Sequence, residues 1–310
     1  YGGSSTDSIA GLDGGDLLDG GSGIDLVSYR ASNDRIFVDL NFGTAAFGHA
    51  SGDSVINFEN ALGSNFDDTI NGTVGANVLQ GFSGNDSFFA GPGGDTMFGG
   101  DNNDDIRGGG AADTLDGGTG IDVADYANAG AAVTVDLSDG AVEVGSDAAG
   151  DVLTGIESVR GSAFNDVLTG QNLGGTAGAL MGLSGNDTLE GRAGTDTLDG
   201  GAEEDTASYR LSTVAVVANL ATGAVGGDAA GDSFVSIENL WGGQAGDPLT
   251  GNSGVNSLQG DSGADILNGG SGADQLFGDS GADSLVGGSG ADLMNGGDGF
   301  DIADYLAATS

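Results

Sequence analysis

The sequence predicts an all-β fold, a parallel solenoid in tandem blocks, and three observations predict it. A nine-residue unit, GGxGxDx(apolar)x, recurs 22 times along the chain. Glycine supplies 65 of the 310 residues, about three times its usual share of roughly 7%. Of the 47 acidic residues, 40 are Asp and 7 are Glu. Asp is a poor helix former and a good turn former, because its short carboxylate bonds to nearby backbone.

The units fall into four blocks, over 2–28, 63–125, 161–208 and 242–304. The sixth position is Asp in 19 units and Asn at Asn77 and Asn256. It is undefined in one long unit, 170–181, whose three extra residues should bulge. The eighth position is apolar in every unit, as Leu258, Leu267, Leu276, Leu285 and Met294 illustrate. The first six residues make a turn in which glycine supplies backbone conformations closed to other residues. The last three place one apolar side chain between two outward neighbours, a minimal strand. Turn, strand, turn, strand closes one coil, and stacked coils pair as parallel strands around a thin core of eighth-position side chains.

Each block closes on Asp-x-(Val/Ala)-x-Tyr, at Tyr29, Tyr126, Tyr209 and Tyr305, where the ring should cap the core. A spacer follows three of these tyrosines. It carries a strand-like piece (36–40, 133–137, 214–220), then a Gly-Asp pair (Asp53, Asp151, Asp232), then Glu59, Glu157 or Glu238 six residues on. The expected domains are therefore 1–29, the end of one roll; 30–126, 127–209 and 210–305, each a spacer plus a roll; and 306–310, the start of another spacer. The chain begins at Tyr1 in mid-repeat and reads as a piece of a longer protein.

Net charge is −41 with only 6 Lys+Arg. Self-repulsion of that size opposes a compact state, yet 38% of residues are hydrophobic and regularly spaced. Such a chain folds once its charge is neutralised. Nucleic acid and anionic membranes demand a basic footprint and are poor partners, so no nucleic acid is expected. The absence of cysteine removes disulfides, thiolate metal sites and a Cys nucleophile. No apolar run is long enough to span a bilayer, and no signal peptide is evident.

The sixth-position carboxylates stand in rows along the turns. A hard cation that takes 6–8 oxygens from carboxylates and carbonyls fits such rows, and calcium is that ion. Magnesium demands a tighter octahedron and holds its water. Zinc would want His or Cys, and the chain has one His, His49, and no Cys.

Units such as GGSGADQLF and GDSGADSLV resemble the RTX (haemolysin-type calcium-binding) family over most of the chain. The resemblance implies a parallel β-roll with calcium held between each turn and the turn two units on. The implied metal ligands are Asp7, Asp16 and Asp25 in the first block. In the second they are Asp68, Asp86, Asp95, Asp104, Asp113 and Asp122. In the third they are Asp166, Asp187, Asp196 and Asp205, and in the fourth Asp247, Asp265, Asp274, Asp283, Asp292 and Asp301. Pairing units two apart gives roughly 14 calcium ions. Asn77 and Asn256 should weaken their sites by removing a charge. Ala111 and Ala245 replace turn glycines or their neighbours and should be strained. Pro248 opens a strand and should cost a ladder bond unless it lies at an edge.

The expected function is a calcium-binding structural region of a secreted or cell-surface bacterial protein, rod-like and folding on calcium binding. The family resemblance implies type I secretion and a surface-layer, filament or adhesin role. The alternative is the carboxy-terminal module of a secreted protease, lipase or alginate epimerase. Self-assembly or a cell-surface polysaccharide are the expected partners beyond calcium. No HExxH or GxSxG is present and no His pairs with a nucleophile, so the expectation is no enzyme. The spacer Asp and Glu recur in every spacer, which fits structural or calcium roles better than catalysis. His49 should be an ordinary surface residue, Trp241 packing, and the six arginines scattered.

Overall fold

The computed structural model describes residues 1–138, 143–172 and 177–305. Residues 173–176 of the long unit and the expected spacer start at 306–310 lie outside them. Contacts group the chain into two compact units, Tyr1–Val135 with Asp139–Arg160, and Asp136–Ser138 with Gly161–Ser310.

Within the first unit, alternate repeats feed alternate sheets. One sheet runs Ser8–Ala10, Leu26–Ser28, Asn60–Leu62, Val78–Ser83, Thr96–Asp101, Thr114–Thr119 and Val152–Thr154, parallel throughout. The other carries Thr69–Asn71, Ser87–Phe89, Asp105–Arg107, Val123–Asp125 and Ser158–Arg160, also parallel. Within a block, paired residues are 18 apart, as in Leu79 with Met97 and Met97 with Leu115. The second unit repeats the scheme. Thr206–Ser208, Asn239–Trp241, Ser257–Gln259, Gln275–Phe277 and Leu293–Asn295 pair in one sheet. Pro248–Thr250, Ile266–Ser271, Ser284–Ser289 and Ile302–Asp304 pair in another. The protein is a parallel β-roll.

Eighth-position side chains fill the roll. Leu79, Met97, Leu115, Ile70 and Ile106 are fully buried, as are Leu249, Leu258, Leu267 and Leu276. Each contributes about 1.5–3 kcal/mol by leaving water. The seventh- and ninth-position neighbours of these residues are half-buried or exposed, a short in-out alternation, whereas Asp125, Glu190 and Ser208 are buried at the ninth position of their strands.

The spacers are excursions from a continuing stack. Leu26–Ser28 pairs directly with Asn60–Leu62, and Thr206–Ser208 with Asn239–Trp241, each across a whole spacer. In the first spacer, Phe37–Asp39 pairs in parallel with Thr69–Asn71 and antiparallel with Thr44–Ala46. Ser54–Ile56 then rejoins the roll beside Leu17–Asp19. Each spacer also has a 3-10 turn, Gly48–Ala50, Ser146–Ala148 or Gly227–Ala229, which buries its Ala completely. The expected module borders at Tyr29, Tyr126 and Tyr209 are not breaks in stacking: Tyr29 N–H bonds Leu62 O, Tyr126 bonds Arg160 O and Tyr209 bonds Trp241 O.

Glycine is favoured at two repeat positions. A Cβ at first-position Gly81 would collide with Asp86 Oδ2 and lie 2.9 Å from Gly99 O. The second position is left-handed, as at Gly288 with φ 96°. At that position Asp261 and Asp279 hold the conformation without being glycine, at φ 70° and 66°, and fourth-position Asn102 holds it at 81°. Ala111 at φ 101° is strained as expected, whereas Ala245 is not among the positive-φ residues and carries no such strain. Pro248 lacks the seventh-position N–H that elsewhere donates to the coil before, as Thr69 N–H does to Ile36 O, and its register with Val217–Asn219 begins only at Leu249.

Leu115→Ala should cost about 2–5 kcal/mol, as large-to-small changes in closed cores do. Leu12→Ala, at a residue 57% exposed, should be near neutral. Denaturant unfolding at saturating calcium measures both.

Candidate metal centres

The sixth-position aspartates form hydrogen-bonded rows. The N–H of each donates to Oδ1 of the next Asp one coil on, from Asp68 to Asp86 (2.8 Å), Asp86 to Asp104 (2.7 Å) and Asp104 to Asp122 (2.7 Å). The parallel row runs Asn77 to Asp95 (2.7 Å) and Asp95 to Asp113 (2.7 Å). The fourth block repeats this from Asp247 through Asp265 and Asp283 to Asp301, and from Asn256 through Asp274 to Asp292.

The second oxygen is what defines a site. In Asp25, Asp86, Asp95, Asp104, Asp113, Asp122, Asp187, Asp196, Asp205, Asp265, Asp274 and Asp283, Oδ2 is buried and has no hydrogen-bond partner. A buried polar atom without a partner costs about 1–3 kcal/mol, more when charged. Eleven of these oxygens sit beside the first-position glycine of their own turn; Asp95 has Ala90 at that position. Carbonyls of the turn one coil on crowd the same point, as Gly99 O does by Asp86 and Gly117 O by Asp104. Among the described residues no group of three or more acidic or His side chains converges. A cation here would therefore meet carboxylates from adjacent turns together with main-chain carbonyls, the donor set of a hard ion.

Burial raises these carboxyls. Asp86 is pushed up to about 8, and Asp104, Asp113 and Asp187 to about 7. Asp122, Asp205 and Asp265 rise to about 6. Loss of solvent is the leading cause in each, and neighbouring carboxylates add to it. Backbone N–H donation opposes it.

The expected ligands do not all share this environment. Asp68 Oδ2 accepts from Ser64 N–H, and its Oδ1 accepts from Ser64 Oγ and Ile36 N–H. Asp166 is met by both donors of Ser162, and Asp247 by Gly243 N–H and Val216 N–H. These three open their rows on protein donors. Asp7 Oδ2 takes Gly3 N–H, while Asp16 and Asp301 are exposed on outer coils and Asp292 is half-buried. Asn77 and Asn256 do more than remove a charge. Their Nδ2 groups donate to the carbonyls of Glu59 and Glu238, the latter at 2.8 Å, so an amide stands in the cradle. In the long unit the equivalent row position is Gly178, whose N–H reaches Asp196 Oδ1 at 3.0 Å.

The spacer acids enter these same rows, which composition and repeat counting do not reveal. Asp53, Asp151 and Asp232 accept from the N–H of Asp16, Asp113 and Asp196. Their Oδ2 atoms accept from the hydroxyls of Tyr29, Tyr126 and Tyr209 at 2.8, 2.9 and 2.9 Å. The three rings are buried, with hydroxyl pKa values raised by burial and the Asp charge, whereas Tyr305 is 68% exposed. The recurring offset from Tyr to Gly-Asp was the sequence signal for this pair.

Other expectations change. His49 is mostly buried, with Nε2 3.3 Å from Asp13 Oδ1. Arg107 and Arg160 are not scattered but meet at Asp125, with Arg160 also 3.1 Å from Asp105. The Arg210 guanidinium lies 5.2 Å over the Trp241 ring, so Trp241 does pack.

A parallel β-roll lined with half-satisfied carboxylates has the donor set of a metal-binding repeat fold. The model of the RTX calcium-binding nonapeptide repeat matches residues 1–36, 62–97, 89–124, 153–172, 174–207, 241–276 and 268–303, more than half of the chain. The chain belongs to this family and is a calcium-binding repeat region. No curated protein matches it.

Two outcomes follow. In chelator, the folded form holds more protons than the unfolded chain, because its carboxyls titrate above the ordinary 3.8. Stability without calcium is then greatest below about pH 4 and falls as pH rises through about 6 to 8. Circular dichroism of the calcium-free protein from pH 4 to pH 8 should show that loss. Tyr209→Phe should cost about 1–3 kcal/mol by stripping Asp232 Oδ2 of its donor, measured by unfolding at saturating calcium.

Proposed function

We propose that the chain is the calcium-triggered structural region of a secreted or cell-surface bacterial protein, exported unfolded by a type I system and folded by external calcium. One observation carries the reading: twelve sixth-position aspartates bury an Oδ2 atom that no protein donor meets. Those twelve are the proposed ligands, shared between adjacent turns, with carbonyls of the Gly-rich positions completing the shell. Twelve ions is accordingly the proposed number for the described residues, against the roughly 14 of simple repeat pairing. Asp68, Asp166 and Asp247 act as row openers in this reading, and the outer-coil Asp7, Asp16, Asp292 and Asp301 lend oxygens where a neighbouring coil is present.

Calcium, when bound, neutralises the rows and satisfies the bare oxygens. Because the site needs stacked turns, binding free energy becomes folding free energy. The surface-layer, filament or adhesin role rests on the modular spacers and on the family's typical occurrence in secreted proteins. No catalytic role is proposed: the spacer acids recur in every spacer and are engaged in the rows.

A calcium titration followed by circular dichroism tests the reading. Little β-structure should exist in chelator at pH 8, with a cooperative gain as calcium is added. Complete β-structure in chelator at that pH, unchanged by millimolar calcium, would overturn it. Asp104→Asn should also lower the bound calcium counted by native mass spectrometry.

A further inference from the structure

We propose that Glu59, Glu157 and Glu238 complete calcium sites that the repeats alone leave open, so that each spacer supplies the last carboxylate of one row. Glu59 and Glu238 lie outside the residues matched by the repeat family. The proposal rests on the calcium reading above and extends it to side chains outside the nonapeptide pattern.

The backbone puts these residues in register. Leu26 pairs with Asn60, Val123 with Ser158 and Thr206 with Asn239. The residue before each of those partners is the Glu, so it occupies the sixth position of a turn that has no nonapeptide. Its carboxylate takes the same hydrogen bond as a sixth-position Asp. Glu59 Oε2 accepts from Asp25 N–H at 2.7 Å, Glu157 Oε2 from Asp122 N–H at 3.0 Å and Glu238 Oε2 from Asp205 N–H at 3.0 Å.

A second feature points at an ion. Asp25, Asp122 and Asp205 are each 0% exposed, and their Oδ2 atoms have no partner. A main-chain carbonyl from the spacer faces each of them. A Cβ built on Gly20 would meet both Asn57 O and Asp25 Oδ2. One on Gly117 would meet Gly155 O and Asp122 Oδ2, and one on Gly200 would meet Ser236 O and Asp205 Oδ2. Within the blocks the same place is filled by a first-position glycine carbonyl, such as Gly99 O beside Asp86. The three spacer residues share one left-handed conformation, Asn57 at φ 58°, Gly155 at 60° and Ser236 at 49°. Two of them are not glycine, and a non-glycine residue keeps that backbone only when its surroundings hold it there.

The longer side chain has a physical reason. The spacer returns to the roll through an irregular turn instead of a GGxGxD turn. One more methylene lets the carboxylate reach the same N–H from the altered backbone. The row then stops, because the next turn brings Asn77 or Asn256, whose amide donates to the Glu59 or Glu238 carbonyl. The Glu site is thus the last cation site of its row before a neutral joint.

The test counts ions by native mass spectrometry at saturating calcium in four single variants, Glu59→Gln, Glu238→Gln, Asp104→Asn and Glu204→Gln. Circular dichroism on each sample confirms folding. Gln keeps an oxygen for the Asp25 or Asp205 N–H but loses the charge. Glu204 is exposed and serves as the charge control. The expected result is one ion fewer in each of the first two and an unchanged count in Glu204→Gln. Should a Gln variant fail to fold, Glu238→Asp provides the second route: its charge stays but its arm is short, so it should fold and bind the last ion more weakly in a calcium titration. An unchanged count in both Gln variants with a lower count in Asp104→Asn overturns this proposal and leaves the calcium reading standing. Unchanged counts in all four overturn the calcium reading itself.

Discussion

Everything in this roll depends on burying columns of like-charged carboxylates. Adjacent coils stand about 4.8 Å apart. Two unit charges at that spacing repel by on the order of 3 kcal/mol at an effective dielectric of about 20. A buried leucine returns about 1.5–3 kcal/mol. The repulsion is thus of the same size as what each core residue returns, and a cation beside a buried Asp113 would relieve it without disturbing the buried Leu115. The six arginines are too few and sit elsewhere. In the proposed function, calcium supplies that charge.

The rows have built ends as well as repeating middles. They open on aspartates already met by protein donors, Asp68 through Ser64 and Asp247 through Gly243. In the spacers they meet a second kind of partner. A tyrosine hydroxyl satisfies the outer oxygen of Asp53, Asp151 or Asp232, exchanging a cation for a proton donor. The closing tyrosine thereby joins two layers, since its ring lies in the core and its hydroxyl reaches the turn row.

The period was legible in the sequence because it is carried by residue types that physics forces. Only glycine fits beside Asp86 Oδ2, and only an apolar side chain fits where Leu267 stands. Those two requirements recur often enough to fix strand, turn and register. What escaped was set by three-dimensional partners. Asp68 and Asp86 hold the same repeat position, yet one meets Ser64 and Ile36 while the other has a bare oxygen. Ala245 reads like Ala111, but only Ala111 has positive φ. His49 looked like a surface residue until the 3-10 turn Gly48–Ala50 carried it inward. The spacers read as connectors because their strands are few, although Leu26–Ser28 and Asn60–Leu62 pair as if nothing lay between them.

That last pairing has a consequence for how such a chain can grow. The backbone leaves the stack and returns in register, so the strands before and after a spacer do not record how long the detour was. Recombination could lengthen, shorten or duplicate a spacer with its following block and leave the hydrogen bonds on either side as they were. The Tyr-to-Tyr intervals of 97, 83 and 96 residues differ through the blocks, since the spacers 30–62, 127–160 and 210–241 are nearly equal in length. A gene built this way tolerates copy-number change in whole cassettes, with the roll's coil geometry acting as the reading frame.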